Sequence, residues 1–133
     1  MRSTAREIVF KELFAKLFNP DDEEFFAVLL KDEKLTDNDK EFAKNLLGII
    51  SQNKDKYLSD IERLSVGYKL ARIYNADKCA MLIGMAELEN MLDTDVPVIV
   101  DESVKLVSKF SAERSTDFVN GILANYAKEV RNG

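Results

Sequence analysis

Two groups of polar side chains in this sequence have the types and the spacing needed to bind an anion. In the first, Arg2 and Arg6 lie four residues apart and project from the same side of a helix predicted over residues 3–18. Cations in a first turn oppose the helix dipole by roughly 0.3–1 kcal/mol each, so stability alone would favour acids there. The pair is therefore a candidate for phosphate contact, although a frayed terminus with solvated charges would show the same pattern.

The second group lies near the C-terminus. Arg114, Ser115 and Thr116 stand at the start of the last predicted helix, and a helix N-terminus favours anions. Asn120 and Gly121 follow one turn inside this helix, on the side opposite its apolar stripe. A glycine within a helix costs about 1 kcal/mol relative to alanine, and it bares the backbone. Two explanations remain open: the glycine admits another molecule, or it permits a tight contact with another helix of the chain.

The composition argues against metal binding and against catalysis. The 133 residues include no histidine and one cysteine, Cys79, which removes the usual ligands of zinc, copper and iron and the usual catalytic base. The acidic segment 37–41 lacks the glycine and the terminal glutamate of an EF-hand calcium loop. The glycines are isolated, so no phosphate-binding loop is predicted. We expect no catalytic site, no metal and no cofactor.

Acidic side chains outnumber basic ones, and the charges are unevenly distributed. The net charge is −5, whereas dedicated nucleic-acid binders are usually basic. Residues 1–18 carry four basic and two acidic side chains, while residues 19–62 carry six basic and twelve acidic ones. Any anion-binding surface must therefore be local. No apolar run reaches the ~20 residues of a membrane span and no signal-peptide core is present, so a cytoplasmic location without membrane contact is expected.

Helical periodicity recurs along the chain and predicts the elements that position these residues. The predicted helices cover residues 3–18, a segment capped by Asp21 and Asp22, a segment from Thr36, residues 57–64, a short segment after Gly67, residues 77–92, residues 101–110 and a segment capped by Ser115. Apolar residues surround the helix axis from Cys79 to Ala86, which is typical of a buried central helix. Gly84 in it indicates a close helix crossing. The predicted fold is all-α, with about seven or eight helices in two small lobes, 1–65 and 66–133.

Several segments with fixed spacing resemble the NusB family of bacterial transcription factors. The C-terminal match is the most specific: KFSAERS at 109–115 followed by FVNGIL at 118–123. Further matches are Ala5-Arg6-Glu7 with Leu13-Phe14, Asp77-Lys78 with Ala86-Glu87-Leu88, and Val96-Pro97 with Asp101-Glu102-Ser103-Val104. The resemblance covers essentially the whole chain. It implies a non-enzymatic, all-α protein that binds the boxA element of ribosomal RNA leader transcripts. It also implies pairing with NusE, a small-subunit ribosomal protein, in a complex with NusA, NusG and RNA polymerase.

The residues expected to bind single-stranded RNA are of two kinds. Phosphate contacts are assigned to Arg2, Arg6, Lys78 and Arg114. Contacts to unstacked bases are assigned to Ser115, Thr116, Asn120 and Gly121, which offer hydroxyl or backbone donors, an amide and close approach. Phe118 is expected in the core. Only Arg2 and Arg6 stand where the family's opening is usually arginine-rich. A second hypothesis therefore stays open, in which the protein is a protein-binding adaptor of the transcription complex that has lost RNA recognition.

Overall fold

The computed structural model describes residues 1–131. This part of the chain contains six α-helices and two short 3-10 turns, joined by loops. The helices are α1 (Arg2–Phe18), α2 (Phe25–Leu29), α3 (Asp37–Leu64), α4 (Asn75–Asn90), α5 (Val96–Phe110) and α6 (Thr116–Arg131), and the 3-10 turns are Leu70–Arg72 and Glu113–Ser115. The all-α class is confirmed. None of these helices is long and apolar enough to cross a membrane.

The number of α-helices is smaller than predicted because α3 is one continuous helix of 28 residues. The sequence pattern had suggested two helices, separated by the polar stretch 51–56. That stretch contains no proline, and Gly48 is accommodated at an exposed position, so the backbone hydrogen bonding continues. The predicted start is confirmed as a capping box, in which the Asp39 N–H donates to Thr36 Oγ1 and the Thr36 N–H donates to Asp39 Oδ2, both over 3.1 Å.

Two other boundaries differ from the prediction. Helix α2 begins at Phe25 and has only five residues, although Asp22 does accept hydrogen bonds from the backbone N–H groups of Glu24 and Phe25. Helix α5 begins at Val96 rather than at residue 101. Pro97 lies in its first turn, where a missing N–H leaves no hydrogen bond unmade and the fixed φ suits the helix. The proline therefore starts α5 instead of belonging to the loop before it.

Helix α4 lies at the centre of the core, as its uninterrupted apolar sequence predicted. It packs against α1, α3, α5 and α6, and every residue from Cys79 to Leu88 is buried. A Cβ atom added to Gly84 would lie 2.6 Å from Ser103 Oγ and 2.8 Å from Leu123 Cδ1. The predicted close crossing at Gly84 is therefore confirmed, and it brings both α5 and α6 against α4.

The division into lobes at about residue 65 remains a prediction. Gly67 adopts a φ of +89°, which favours glycine, and turns the chain between α3 and the first 3-10 turn. One cluster of buried apolar side chains nevertheless runs through both halves. Helix α4 therefore joins the halves through its packing, and the turn at Gly67 serves mainly to set the position of the residues that follow it.

Candidate nucleic-acid interface

A cavity of about 260 Å³ opens where the turn after α3, the start of α4 and the start of α6 meet. We call it the tyrosine cleft. It is lined by Tyr68, Arg72, Ile73, Tyr74, Asp77, Arg114, Ser115 and Phe118. Two of these, Arg114 and Ser115, were predicted from the sequence as binding residues. The cleft combines exposed aromatic rings with two guanidinium groups, which are the side chains that unstacked nucleotides contact.

The aromatic wall of the cleft is held by the turn at Gly67. The Tyr68 N–H donates to the Ser65 carbonyl over 2.9 Å, and the Tyr68 ring meets the Phe118 ring edge to face, with centroids 5.4 Å apart. Phe118 is half-buried, so it anchors α6 and also presents part of its ring to the cleft. Tyr68 remains 56% exposed. A planar ligand therefore has access to its face.

The cationic side of the cleft comes from Arg72 and Arg114. Both side chains are exposed, and among the described residues neither forms an ion pair with a carboxylate. The Arg114 guanidinium donates a hydrogen bond to the Tyr74 hydroxyl and lies 5.8 Å from the centre of that ring. The cleft therefore carries local positive charge on a protein whose net charge is −5.

The predicted residues of α6 continue this surface away from the cleft. Asn120 and Gly121 are both exposed, and no atom lies within 4 Å of a Cβ built on Gly121. The tight internal contact considered for Gly121 is therefore excluded, and the approach of another molecule stays a prediction. The Thr116 hydroxyl donates to the Glu113 carbonyl over 2.8 Å, so its hydrogen atom is already used within the chain.

Arg6 requires a correction, because the predicted phosphate contact assumed an exposed side chain. The residue is only 4% exposed. Its Nε and Nη2 atoms donate to the two carboxylate oxygens of Glu87 over 2.8 and 2.7 Å, and Glu102 lies 3.7 Å away. Burial opposes the charge, but the hydrogen bonds from Arg6 to Glu87 raise the pKa of Arg6 above its ordinary value. Arg6 therefore links α1 to α4 through its bonds to Glu87, and its buried side chain is not accessible to a ligand.

Arg2 and Lys78 lie outside the cleft. Arg2 is exposed, and its guanidinium stacks 4.5 Å from the centre of the Phe42 ring, in a shallow polar depression with Asn38 and Asn45. Lys78 is half-buried and lines a separate small cavity beside Cys79. The structure thus brings together the C-terminal group of predicted residues but distributes the other cations elsewhere.

Three residues of the cleft were missed by the sequence analysis: Tyr68, Arg72 and Tyr74. They belong to the segment 68–74, YKLARIY, in which two tyrosines flank two basic residues within seven positions. Interleaving of this kind is a recognised sign of a surface that binds single-stranded nucleic acid. The sign was available in the sequence, but the segment was interpreted only as a hinge followed by a short helix.

A second surface feature is an apolar depression of about 340 Å³, which we call the aromatic groove. It is lined by Phe10, Lys11, Phe14, Ala15, Phe25 and Phe110. The Phe10 and Phe110 rings stack with centroids 4.8 Å apart, and Phe18, one turn further along α1, is 70% exposed. The four consecutive acids 21–24 lie in the loop between α1 and α2. The groove therefore combines exposed aromatic surface with negative charge beside it.

Comparison with known proteins gives one consistent result. A sequence model of the NusB family matches residues 3–128. A transcription antitermination protein NusB from Carboxydothermus hydrogenoformans is 31% identical over 97% of this chain and 94% of the relative. One from Clostridium novyi is 33% identical over 96% of this chain and 98% of the relative.

The fold is similar to T. maritima NusB, with a TM-score of 0.89, 30% identity and coverage of 97% of this chain and 92% of that chain. It is also similar to a complex of the antitermination factors NusB and NusE with double-stranded RNA, with a TM-score of 0.82 and coverage of 96% of each chain. At 24% identity that last likeness concerns the fold alone.

Proposed function

Because this chain belongs to the NusB family, we propose that it is a transcription antitermination factor that binds single-stranded boxA RNA together with NusE. The observation that carries the proposal is the tyrosine cleft, where two exposed arginines without acidic partners stand beside two exposed tyrosines. The protein would act by binding and assembly in the cytoplasm, as part of a complex with NusA, NusG and RNA polymerase, and no catalytic step is required of it.

The chemistry of the cleft suits single-stranded RNA better than a duplex. Proteins read unpaired RNA by stacking bases on aromatic rings or guanidinium planes, at about 1–3 kcal/mol per stacked base. Tyr68 and Tyr74 offer such faces, while Arg72 and Arg114 meet phosphates and release counterions. Asn120 and Gly121 lie further along α6, where a strand leaving the cleft would reach an amide and an uncovered backbone. Arg2 would add a phosphate contact at a distance from the cleft.

The acidic remainder of the protein makes a basic partner useful. With a net charge of −5, the chain alone repels RNA at long range, and a ribosomal protein would supply the missing positive charge. The complex of the antitermination factors NusB and NusE with double-stranded RNA shares the fold of this chain, so a surface for NusE can be sought on it. We assign the aromatic groove to NusE, since it is an apolar depression lined by aromatic rings and the acids 21–24 complement a basic partner.

Binding measurements with purified components test the proposal. A boxA-like RNA and a scrambled RNA are titrated with and without NusE, using wild-type protein, Arg114→Ala and the control Lys128→Ala. Lys128 is an exposed cation on α6, roughly 18 Å along the helix axis from its first residue, Thr116. The proposal predicts selective binding of the boxA-like RNA, tighter with NusE, and a loss of affinity in Arg114→Ala but not in Lys128→Ala.

The adaptor hypothesis makes a different prediction for the same titration. If NusE binds but neither RNA binds even at low salt, the protein is a protein-binding adaptor and the cleft has another role. The low content of basic residues favours this second candidate. The arginines of the cleft weigh against it, because an adaptor has no need to keep two exposed cations, neither paired with an acid of the described residues, in one cleft with aromatic rings.

A further inference from the structure

Asp77 lines the tyrosine cleft. Its carboxylate has no role in RNA binding through phosphate contacts and base stacking. The side chain belongs to the first turn of α4 and is only 3% exposed. Ser111 donates its hydroxyl hydrogen to Asp77 Oδ1 over 2.6 Å. Among the described residues, no cation forms an ion pair with this carboxylate. This buried carboxylate lines a cleft that also holds two arginines, and it can accept further hydrogen bonds.

The surroundings of Asp77 limit what ligand it would accept. An ionised carboxylate is an acceptor only, so it selects groups that carry N–H or O–H donors. The rings of Tyr68, Tyr74 and Phe118 line the same space, which favours a planar ligand that packs against them. At about 260 Å³ the cleft lies just below the usual size range of small-molecule sites, roughly 300–1,000 Å³. That size suits one nucleobase whose sugar and phosphate stay outside, next to the arginines.

We propose that the tyrosine cleft takes one unstacked guanine, whose Watson–Crick edge is read by Asp77. This inference rests on the proposed function, RNA binding, and adds the identity of one base. Guanine presents two adjacent donors, N1–H and the N2 amino group, and two parallel hydrogen bonds to one carboxylate satisfy both. Uracil offers one N–H between two carbonyl oxygens, which the carboxylate repels. Adenine and cytosine each offer an amino group beside a ring nitrogen that is itself an acceptor.

The position of Asp77 supports a role in selectivity rather than in affinity alone. A carboxylate on the exterior would repel the RNA backbone at every sequence. Asp77 is buried in the lining of the cleft and meets only a base that enters it, whereas Arg72 and Arg114 are exposed and would meet the flanking phosphates. The hydroxyl of Ser111 fixes the orientation of the carboxylate group, which prepares it for a directional contact.

A simple RNA series tests the inference. The probes are uridine decamers with a single central guanine, inosine, adenine or cytosine, and the all-uridine decamer, each titrated against the full chain with NusE. The guanine decamer should bind at least about fivefold more tightly than the others, the lower end for one bidentate base contact. Inosine lacks only the N2 amino group, so it should lose most of this preference. These comparisons change the RNA and leave the protein intact.

Two variants assign the preference to the carboxylate. Asp77→Asn replaces one acceptor oxygen by a donor and should erase the preference for guanine, while the all-uridine decamer binds at least as well as before. Asp117→Asn removes the same charge from an exposed position on α6 and should leave the preference unchanged. Equal binding of all five decamers by the wild-type protein, with Arg114→Ala still weakening each of them, would overturn the inference and leave RNA binding standing. Absence of binding to any RNA at low salt would instead overturn the proposed function.

Discussion

At the scale of single residues, Arg6 shows how one position combines a family match with a purely structural role. Its two hydrogen bonds to Glu87 hold a buried charge pair between α1 and α4. Removal of one partner leaves the other charge buried and unpaired, which typically lowers the free energy of unfolding by about 3–5 kcal/mol. We expect this loss for Arg6→Ala and for Glu87→Ala in urea unfolding.

The double variant Arg6→Met/Glu87→Leu is the control for this pair, because it leaves no unpaired charge. It should regain most of the lost stability and, once folded, bind RNA as the wild type does. A direct phosphate contact by Arg6 would give the opposite result, namely weaker RNA binding in a protein of normal stability.

Gly84 and Gly121 form a matched pair of helix glycines with opposite surroundings. A methyl group at Gly84 would press on Ser103 and Leu123, so Gly84→Ala should lower the free energy of unfolding by about 1–3 kcal/mol. Gly121 has open space around it, so Gly121→Ala should raise the free energy of unfolding by up to about 1 kcal/mol. Thermal melts measure both changes.

The same Gly121→Ala variant also tests the surface of α6. If another molecule approaches the bare backbone there, the variant should bind RNA more weakly although its fold is more stable. An RNA affinity equal to that of the wild type would remove Gly121 from the interface. A glycine with only a structural role would not give a variant that is more stable but binds RNA more weakly.

At the scale of helices, a polar cluster around Glu89 joins α3, α4 and α6. Tyr57 donates its hydroxyl hydrogen to Glu89 over 2.8 Å, Tyr126 does so over 3.4 Å, and Lys56 forms an ion pair with the same carboxylate. Burial alone would raise the pKa of Glu89, but the hydrogen bonds from Lys56 and Tyr57 outweigh it and hold the pKa below its ordinary value of 4.5. The cluster therefore stabilises the fold when Glu89 is ionised.

This cluster predicts a pH dependence of stability with a definite sign. A lowered pKa in the folded state gives stabilisation that is present above pH 4.5 and is lost as the pH falls through the folded-state pKa. Urea midpoints should therefore drop more steeply below pH 4.5 in the wild type than in Glu89→Gln. Glu129→Gln at the exposed Arg63 pair is the comparison for a carboxylate at the surface. Equal steepness in the wild type and Glu89→Gln would show that the cluster contributes nothing.

The helices also show which parts of the fold the sequence predicts and which it does not. The central position of α4 followed from its apolar residues, and the start of α3 after Thr36 was predicted correctly. The continuity of α3 was missed because a polar stretch breaks the apolar pattern without breaking the backbone. The start of α5 was missed because Pro97 ends some helices and begins others, and only its neighbours in space decide between the two.

At the scale of the whole molecule, the distribution of charge separates two surfaces. The tyrosine cleft holds cations that face solvent, and the aromatic groove lies beside the acids 21–24. The C-terminal signature predicted two residues of the cleft, Arg114 and Ser115. The other part, Tyr68 to Tyr74, comes from a turn with no periodic pattern. Its contact with α6 depends on how α3, α4 and α6 pack, which local sequence does not encode.

The groove gives a prediction at the same scale. Phe14→Ser and Phe18→Ser place hydroxyl groups on the exposed aromatic surface, and both should weaken binding of NusE in calorimetry by removing apolar contact area. Val66→Ser, at a position that is 90% exposed in the turn after α3, is the control and should leave binding of NusE unchanged. Unchanged NusE binding in both phenylalanine variants would place the partner on another face of the protein.

The most direct test of the central claim is the salt dependence of RNA binding by the heterodimer with NusE. The logarithm of the association constant is measured against the logarithm of salt concentration for the wild type and for Arg72→Ala/Arg114→Ala. Each lost phosphate contact should reduce the slope by about 0.7 for single-stranded RNA, so the double variant should show a slope shallower by about 1.4 and weaker binding to every RNA. An unchanged slope and affinity would mean that the RNA does not pass over the tyrosine cleft.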